Sequence, residues 1–122
     1  MNQRWVLLLE DDAELRETLE AGLRRAGLTV RCASDGAEAL RMFEEHPVPS
    51  VVLSDLMVPG VLGQSVLEYM RGEPTLCDIP VAIITGSPEQ APSGYRVFAK
   101  PVPFGDVLAF VNQALDASAT IA

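Results

Sequence analysis

The sequence predicts an α/β fold, a doubly wound five-stranded parallel sheet with helices on both faces. Three observations carry this reading. Short apolar runs alternate with helical patterns along the chain. Most of the runs are near-continuous rather than alternating, as strands buried on both faces are. No internal repeat or linker interrupts the pattern, so residues 1–122 read as one domain, with a core of about 5–115 and a small, polar, fraying tail of 116–122.

The five strand candidates are WVLLL (5–9), LTVRCA (28–33), VVL (51–53), VAIIT (81–85) and YRVFA (95–99). Between the first two, Leu15, Leu19 and Leu23 recur every four residues, and Gly27 offers a C-terminal stop. The second helix opens with Asp35 and Glu38 at capping-box spacing and carries Ala37, Leu40 and Phe43 on one side. Residues 64–72 bring Val66, Leu67 and Met70 together and stop at Gly72. The last helix, 103–115, has Phe104, Val107, Leu108, Val111 and Leu115 on one face.

Composition narrows the function. Apolar content of 48% with mixed charge describes a soluble globular chain. A net charge of -8 argues against direct binding to a nucleic-acid backbone. No apolar run approaches the roughly 20 residues of a membrane span, and the N-terminus lacks a signal-peptide pattern. Cys32 and Cys77 show neither metal spacing nor a disulfide framework, which fits reduced thiols in a cytoplasmic protein.

In a parallel sheet of this kind the functional crevice lies outside the carboxyl ends of the strands. Glu10, Asp11 and Asp12 follow the first strand, Asp55 the third and Lys100 the fifth, while Thr85 ends the fourth. Singly, each has an ordinary explanation: helix cap, turn former, strand residue, solvated loop charge. Together they place acids, a hydroxyl and an ammonium at one edge of one sheet. Gathering Glu10, Asp11 and Asp55 costs repulsion unless a cation is present, and a hard divalent ion with oxygen ligands, Mg²⁺, suits them. A carboxylate here could attack phosphorus to form an aspartyl phosphate, a reaction that needs positioning and charge neutralisation more than an external base. His46 precedes Pro47 with no nucleophile near it in sequence and reads as a surface residue.

The segments LLLEDD, LSDLMVPGVLG, IPVAIITGS and AKPV, in this order and spacing, resemble the receiver domain of response regulators, the phospho-acceptor half of two-component signalling. The resemblance runs from about Val6 to Leu115. It implies strand order 2-1-3-4-5 and a cis bond between Lys100 and Pro101. It implies Asp55 as phospho-acceptor, Asp11 as direct Mg²⁺ ligand, Glu10 as a ligand acting through water, and a Met57 backbone carbonyl on the metal. Thr85 would be the switch hydroxyl and Lys100 the phosphate-binding lysine. The partners implied are a sensor histidine kinase or phosphotransfer protein and a downstream protein target. Such a domain is not an enzyme in the ordinary sense; it assists only its own phosphorylation and dephosphorylation.

Two departures from the family pattern stand out. Receivers often carry an aromatic residue three positions before the lysine, coupled to the switch threonine; here that position is Val97, and by strand alternation Tyr95 shares its side. Only 14 residues, 86–99, separate Thr85 from Lys100, where the family fits a helix and a strand. Nine remain before the strand, with Pro88, Pro92, Gly86 and Gly94 among them. Ser87 is placed as an N-cap, Pro88 at the first helical position and Gln90 at capping-box spacing, while Pro92 disfavours helix at Ala91. The expectation is a fourth helix reduced to at most one turn, about 88–91. The sheet beside Tyr95 and Val97 would then be less covered, and partner contacts would move to the exposed strand and last helix, with Tyr95 as an anchor.

Two functions of different class fit. One is a phosphorylation-switched receiver. The other is a protein-interaction module that keeps the fold and signals without phosphorylation. A metal-dependent phosphatase fits poorly, since the residue two positions after Asp55 is Met57 rather than a second acid. No output segment follows residue 115, so the chain is either a stand-alone receiver or part of a longer protein.

Overall fold

A computed structural model describes residues 4–55 and 63–120. The elements run β1 (Val6–Leu9), α1 (Ala13–Arg25), β2 (Val30–Ala33), α2 (Gly36–Glu45), β3 (Val51–Asp55), α3 (Gly63–Gly72), β4 (Val81–Thr85), a 3-10 turn (Pro88–Gln90), β5 (Arg96–Ala99) and α4 (Phe104–Thr120). All strand pairs are parallel and the order is β2-β1-β3-β4-β5. The five-stranded parallel sheet and the order expected from the sequence are both found.

Strand alternation divides the core in two. Val6, Leu8, Val30, Leu53, Ile84 and Phe98 point to one face, where Leu19 and Leu23 of α1 and Val107 and Val111 of α4 cover them. Leu7, Leu9, Ala33 and Val52 point to the other face, under Ala39 and Phe43 of α2 and Val66 and Met70 of α3. Both β1 and β3 are buried along their whole length, so their continuous apolar runs follow from having helices above and below.

The helix ends follow local chemistry. Asp12 caps α1 by accepting from the Leu15 N–H at 3.2 Å, and Asp35 caps α2 by accepting from the Glu38 N–H at 2.8 Å. Gly27 takes φ +90° just beyond α1, a conformation costly for residues with a Cβ. Three expectations are corrected. In α2 the core-facing alanine is Ala39; Ala37 is exposed, because the helix starts at Gly36 and its buried face runs through 36, 39 and 43. The last helix runs from Phe104 to Thr120 rather than over 103–115; Ala114 and Leu115 pack on the core, and the next residues extend the same hydrogen-bonded spiral. His46 is half-buried, its ring set edge-on to Trp5 at 6.1 Å, rather than a plain surface residue.

The region between β4 and β5 holds only the single 3-10 turn, as the two prolines and short length required. Ser87 makes no side-chain cap there, contrary to its capping-box placement. Its N–H instead donates to Thr85 Oγ1 at 3.0 Å. The sheet below is less bare than expected. Ile83 and Leu67 stay buried because Ala91, Tyr95 and Val97 close over them. Tyr95 is itself held by Arg71, whose guanidinium donates to its hydroxyl at 2.8 Å and lies 5.2 Å from the ring centre. A groove of about 390 Å³ remains beside it, between α3, β5 and Phe110 of α4.

Trp5 lies just before β1, is 1% exposed, and donates from its indole nitrogen to the Pro47 carbonyl at 2.9 Å. The opposite end of β1 is roughly 15 Å away at ~3.3 Å rise per residue. Adding Mg²⁺ should therefore leave Trp5 fluorescence nearly unchanged; strong quenching at millimolar Mg²⁺ would reveal a change that spans the whole sheet.

Candidate functional site

Parallel register decides which residues meet. Leu9 of β1 is aligned with Ser54 of β3, so the next residues, Glu10 and Asp55, leave neighbouring strands side by side. Thr85 of β4 is aligned with Ala99 of β5, so Lys100 is the next residue out on the adjoining strand, and its N–H donates to the Thr85 carbonyl at 2.9 Å. The residues expected at the carboxyl edge are thus delivered there by four adjacent strands. The Lys100–Pro101 peptide is cis.

Lys100 Nζ reaches back over the edge to Asp55 Oδ2 at 2.7 Å and to Glu10 Oε1 at 3.1 Å. Glu10 is 1% exposed and Asp55 5%. Glu10 Oε2 accepts from the Asp12 N–H at 3.1 Å. Oε1 lies fully buried, and its contact with Lys100 is an ion pair out of line for a hydrogen bond. Asp11 is exposed at the rim. Oxygens of Glu10, Asp11 and Asp55 all fall within 4.8 Å of one another. Three acid oxygens so close, one of them buried without a hydrogen-bond donor, form a hard, anionic donor set, and a small divalent cation suits it.

The charges respond to this setting. Burial pushes the Glu10 carboxyl up. The Asp12 N–H opposes that, the nearby Asp55 charge adds to it, and Lys100 pulls it back, leaving it at about 7. Burial alone would lower the Lys100 ammonium, but its hydrogen bond to Asp55 and the neighbouring Glu10 outweigh that and hold it above the ordinary lysine value. Cys32, on β2, is a half-buried thiol pushed up to about 11 by burial and by Glu20, which disfavours its reactive thiolate form.

Thr85 is 2% exposed, and its hydroxyl oxygen is engaged by Ser87. Val97 and Tyr95 sit together on the α3 side of the sheet, in the small cluster with Ile83, so the expected sharing of one face is found. Met57 lies outside the described residues. The sequence reading passed over Arg16, whose Nη1 donates to the Glu10 carbonyl at 2.9 Å and contacts the Asp11 carbonyl at 3.4 Å. Its half-buried place next to Leu15 was the available signal, since a charged helix residue beside the apolar stripe needs a polar partner nearby.

Residues 6–100 match the response regulator receiver domain. The transcriptional regulatory protein GltR of Pseudomonas aeruginosa is 37% identical over 90 residues, which cover 74% of this chain and 37% of that protein. The C4-dicarboxylate transport transcriptional regulatory protein DctD of the same species is 36% identical over 121 residues, 93% of this chain and 26% of that protein. The chain thus spans little more than a third, or less, of the length of these curated relatives. A response regulator receiver domain protein from Clostridium thermocellum superposes with a TM-score of 0.83 at 22% identity, covering 98% of this chain and 100% of that one, a likeness of fold.

The raised Glu10 gives a pH signature. Unfolded, this carboxyl ionises near its ordinary value of 4.5; folded, near 7. Between those values the folded state holds more protons, so stability falls as pH rises through the window. Lys100 remains charged throughout and adds no slope there. In EDTA the urea midpoint should drop between pH 5 and 7, and Glu10→Gln should flatten that drop. An unchanged slope in the variant would show that Glu10 is not the group responsible.

Proposed function

The chain belongs to the response regulator receiver domain family, and on that premise we propose that Asp55 is its phospho-acceptor, taking a phosphoryl group from a sensor histidine kinase or phosphotransfer protein. The family is a signalling domain rather than an enzyme that turns over outside substrates. The observation that carries the proposal is Lys100 Nζ at 2.7 Å from Asp55 Oδ2, beside two further acids. A cation already sits where a transferred phosphoryl oxygen would need one, and the acceptor carboxylate lies at the mouth of the sheet.

Glu10, Asp11 and Asp55 would hold Mg²⁺, with the Met57 carbonyl as a further ligand. When bound, that ion would neutralise phosphoryl oxygens and the crowded carboxylates. The protein's own residues account for the rest. An Asp55 oxygen attacks phosphorus, a P–O bond forms, and the P–N bond to the donor imidazole breaks with its electron pair returning to that nitrogen. Lys100 is already charged and exchanges part of its contact with Asp55 for a phosphoryl oxygen. Thr85, at the end of β4, offers its hydroxyl hydrogen to another oxygen. The same oxygen accepts from the Ser87 N–H, so a Thr85 side chain turned toward the phosphoryl group would carry Ser87 with it, and the turn at 88–90 would be the segment that registers phosphorylation. Tyr95 and Val97, closing over Ile83 beside that turn, would relay the change to a downstream protein.

The single 3-10 turn favours one alternative, an interaction module that keeps the fold and signals without phosphorylation. Acetyl phosphate with Mg²⁺, read by intact-protein mass spectrometry, separates the two. The parent chain should gain one phosphoryl group and Asp55→Asn none, while Asp11→Asn should need at least tenfold more Mg²⁺. A parent chain that stays unmodified would support the interaction module, and an adduct on Asp55→Asn as abundant as on the parent would remove Asp55 as acceptor.

A further inference from the structure

We propose that Arg16 is a positioning residue of the acidic site, its guanidinium fixing the turn after β1 so that Glu10 Oε1 and the Asp11 carboxylate both point toward Asp55. The inference rests on the reading of that site as a Mg²⁺ site. Arg16 stands in the first turn of α1, and its backbone N–H donates to the Asp12 carbonyl at 2.9 Å as the helix opens. Its side chain folds back onto the same turn. Nη1 donates to the Glu10 carbonyl at 2.9 Å and meets the Asp11 carbonyl at 3.4 Å. Among the described residues Arg16 forms no ion pair with a carboxylate; Glu20, four residues on, is engaged by Arg24 instead. The guanidinium is thus directed at backbone oxygens of the two acidic residues.

The peptide unit between Asp11 and Asp12 shows why this matters. Its carbonyl faces Arg16, and its N–H, on the opposite side of the same planar group, donates to Glu10 Oε2 at 3.1 Å. A cation on the carbonyl polarises that N–H and strengthens its hold on Oε2. With Oε2 tied down, Oε1 is the Glu10 oxygen turned to the cation side of the site: it is buried, makes no hydrogen bond, and already has the Lys100 ammonium 3.1 Å away as its ion-pair partner. The 2.9 Å bond to the Glu10 carbonyl fixes the preceding peptide as well. Two peptide planes are then set by one side chain, and the direction of Glu10 and Asp11 follows from them. Outer partners that orient ligands in this way typically contribute about 10- to 100-fold to metal affinity.

The test is Mg²⁺ titration by calorimetry on the full chain, with urea stability measured separately in EDTA. Arg16→Met keeps the aliphatic stem and removes the donors; its Mg²⁺ dissociation constant should rise about tenfold. Arg16→Lys keeps one donor for the Glu10 carbonyl and should recover part of that loss, which also covers the case in which the Met variant is poorly folded. Combining Arg16→Met with Glu10→Gln should cost less than the sum of the two single losses, because Arg16 acts through Glu10. Arg16 variants that fold and bind Mg²⁺ within twofold of the parent would overturn the proposal, as would fully additive losses. Asp11→Asn is the control for the underlying reading. If the parent binds no Mg²⁺, or Asp11→Asn binds it as well as the parent, the metal site itself is misassigned.

Discussion

One ammonium group placed between two buried carboxylates governs the carboxyl edge of this sheet. Lys100 lies within 3.1 Å of both Glu10 and Asp55, and each of those acids is almost sealed from water. Two buried negative charges side by side repel, and burial alone penalises each of them. The lysine offsets part of that cost, but Glu10 still ionises only near pH 7. The site is therefore held in a strained balance of charge. A second cation on the acids, or a phosphoryl group on Asp55 that draws Lys100 away, would shift that balance, and this is what a switch requires.

The rest of the fold serves to keep these groups in register. Asp55 is the last residue of β3, a strand with no exposed position, so its backbone has little freedom. Glu10 follows the equally buried β1. Lys100 follows β5, an edge strand with a mixed burial pattern, and is the most exposed of the three. Buried carriers for the acids and a more exposed carrier for the cation are what the proposed acceptor role of Asp55 would call for, with the carboxylate held still while its counter-charge changes partner.

The 88–90 turn alters the side of the sheet that would receive such a change. Instead of a helix packed over β4 and β5, a few side chains close the surface, with Tyr95 fastened to α3 by Arg71. A helix would present a long ridge to a partner. Here the accessible features are a shallow groove, an aromatic ring and two arginines, Arg71 and Arg96. Thr85 touches this region through Ser87, so the path from the site to that surface is short in both sequence and space.

Much of this was determined by the sequence alone. Apolar runs such as VVL and VAIIT specify strands buried on both faces, and four-residue leucine spacing specifies α1; both are periodicities set by backbone geometry. The alternation of strand and helix then requires a parallel sheet, which puts Glu10, Asp55, Thr85 and Lys100 at one edge. The length and prolines of 86–94 rule out a full helix there for equally local reasons. Tertiary structure decided what depends on distance between parts far apart in sequence. It set Lys100 to bridge both Asp55 and Glu10, 45 residues from the first, and left the Glu10 oxygen it meets buried in an ion pair with no hydrogen bond. It turned Arg16 back onto the turn after β1, and it brought Tyr95 and Ala91 over Ile83 to close a surface the sequence left open. Side-chain direction, burial and the shifted pKa of Glu10 arise from packing in three dimensions, and no periodicity along the chain encodes them.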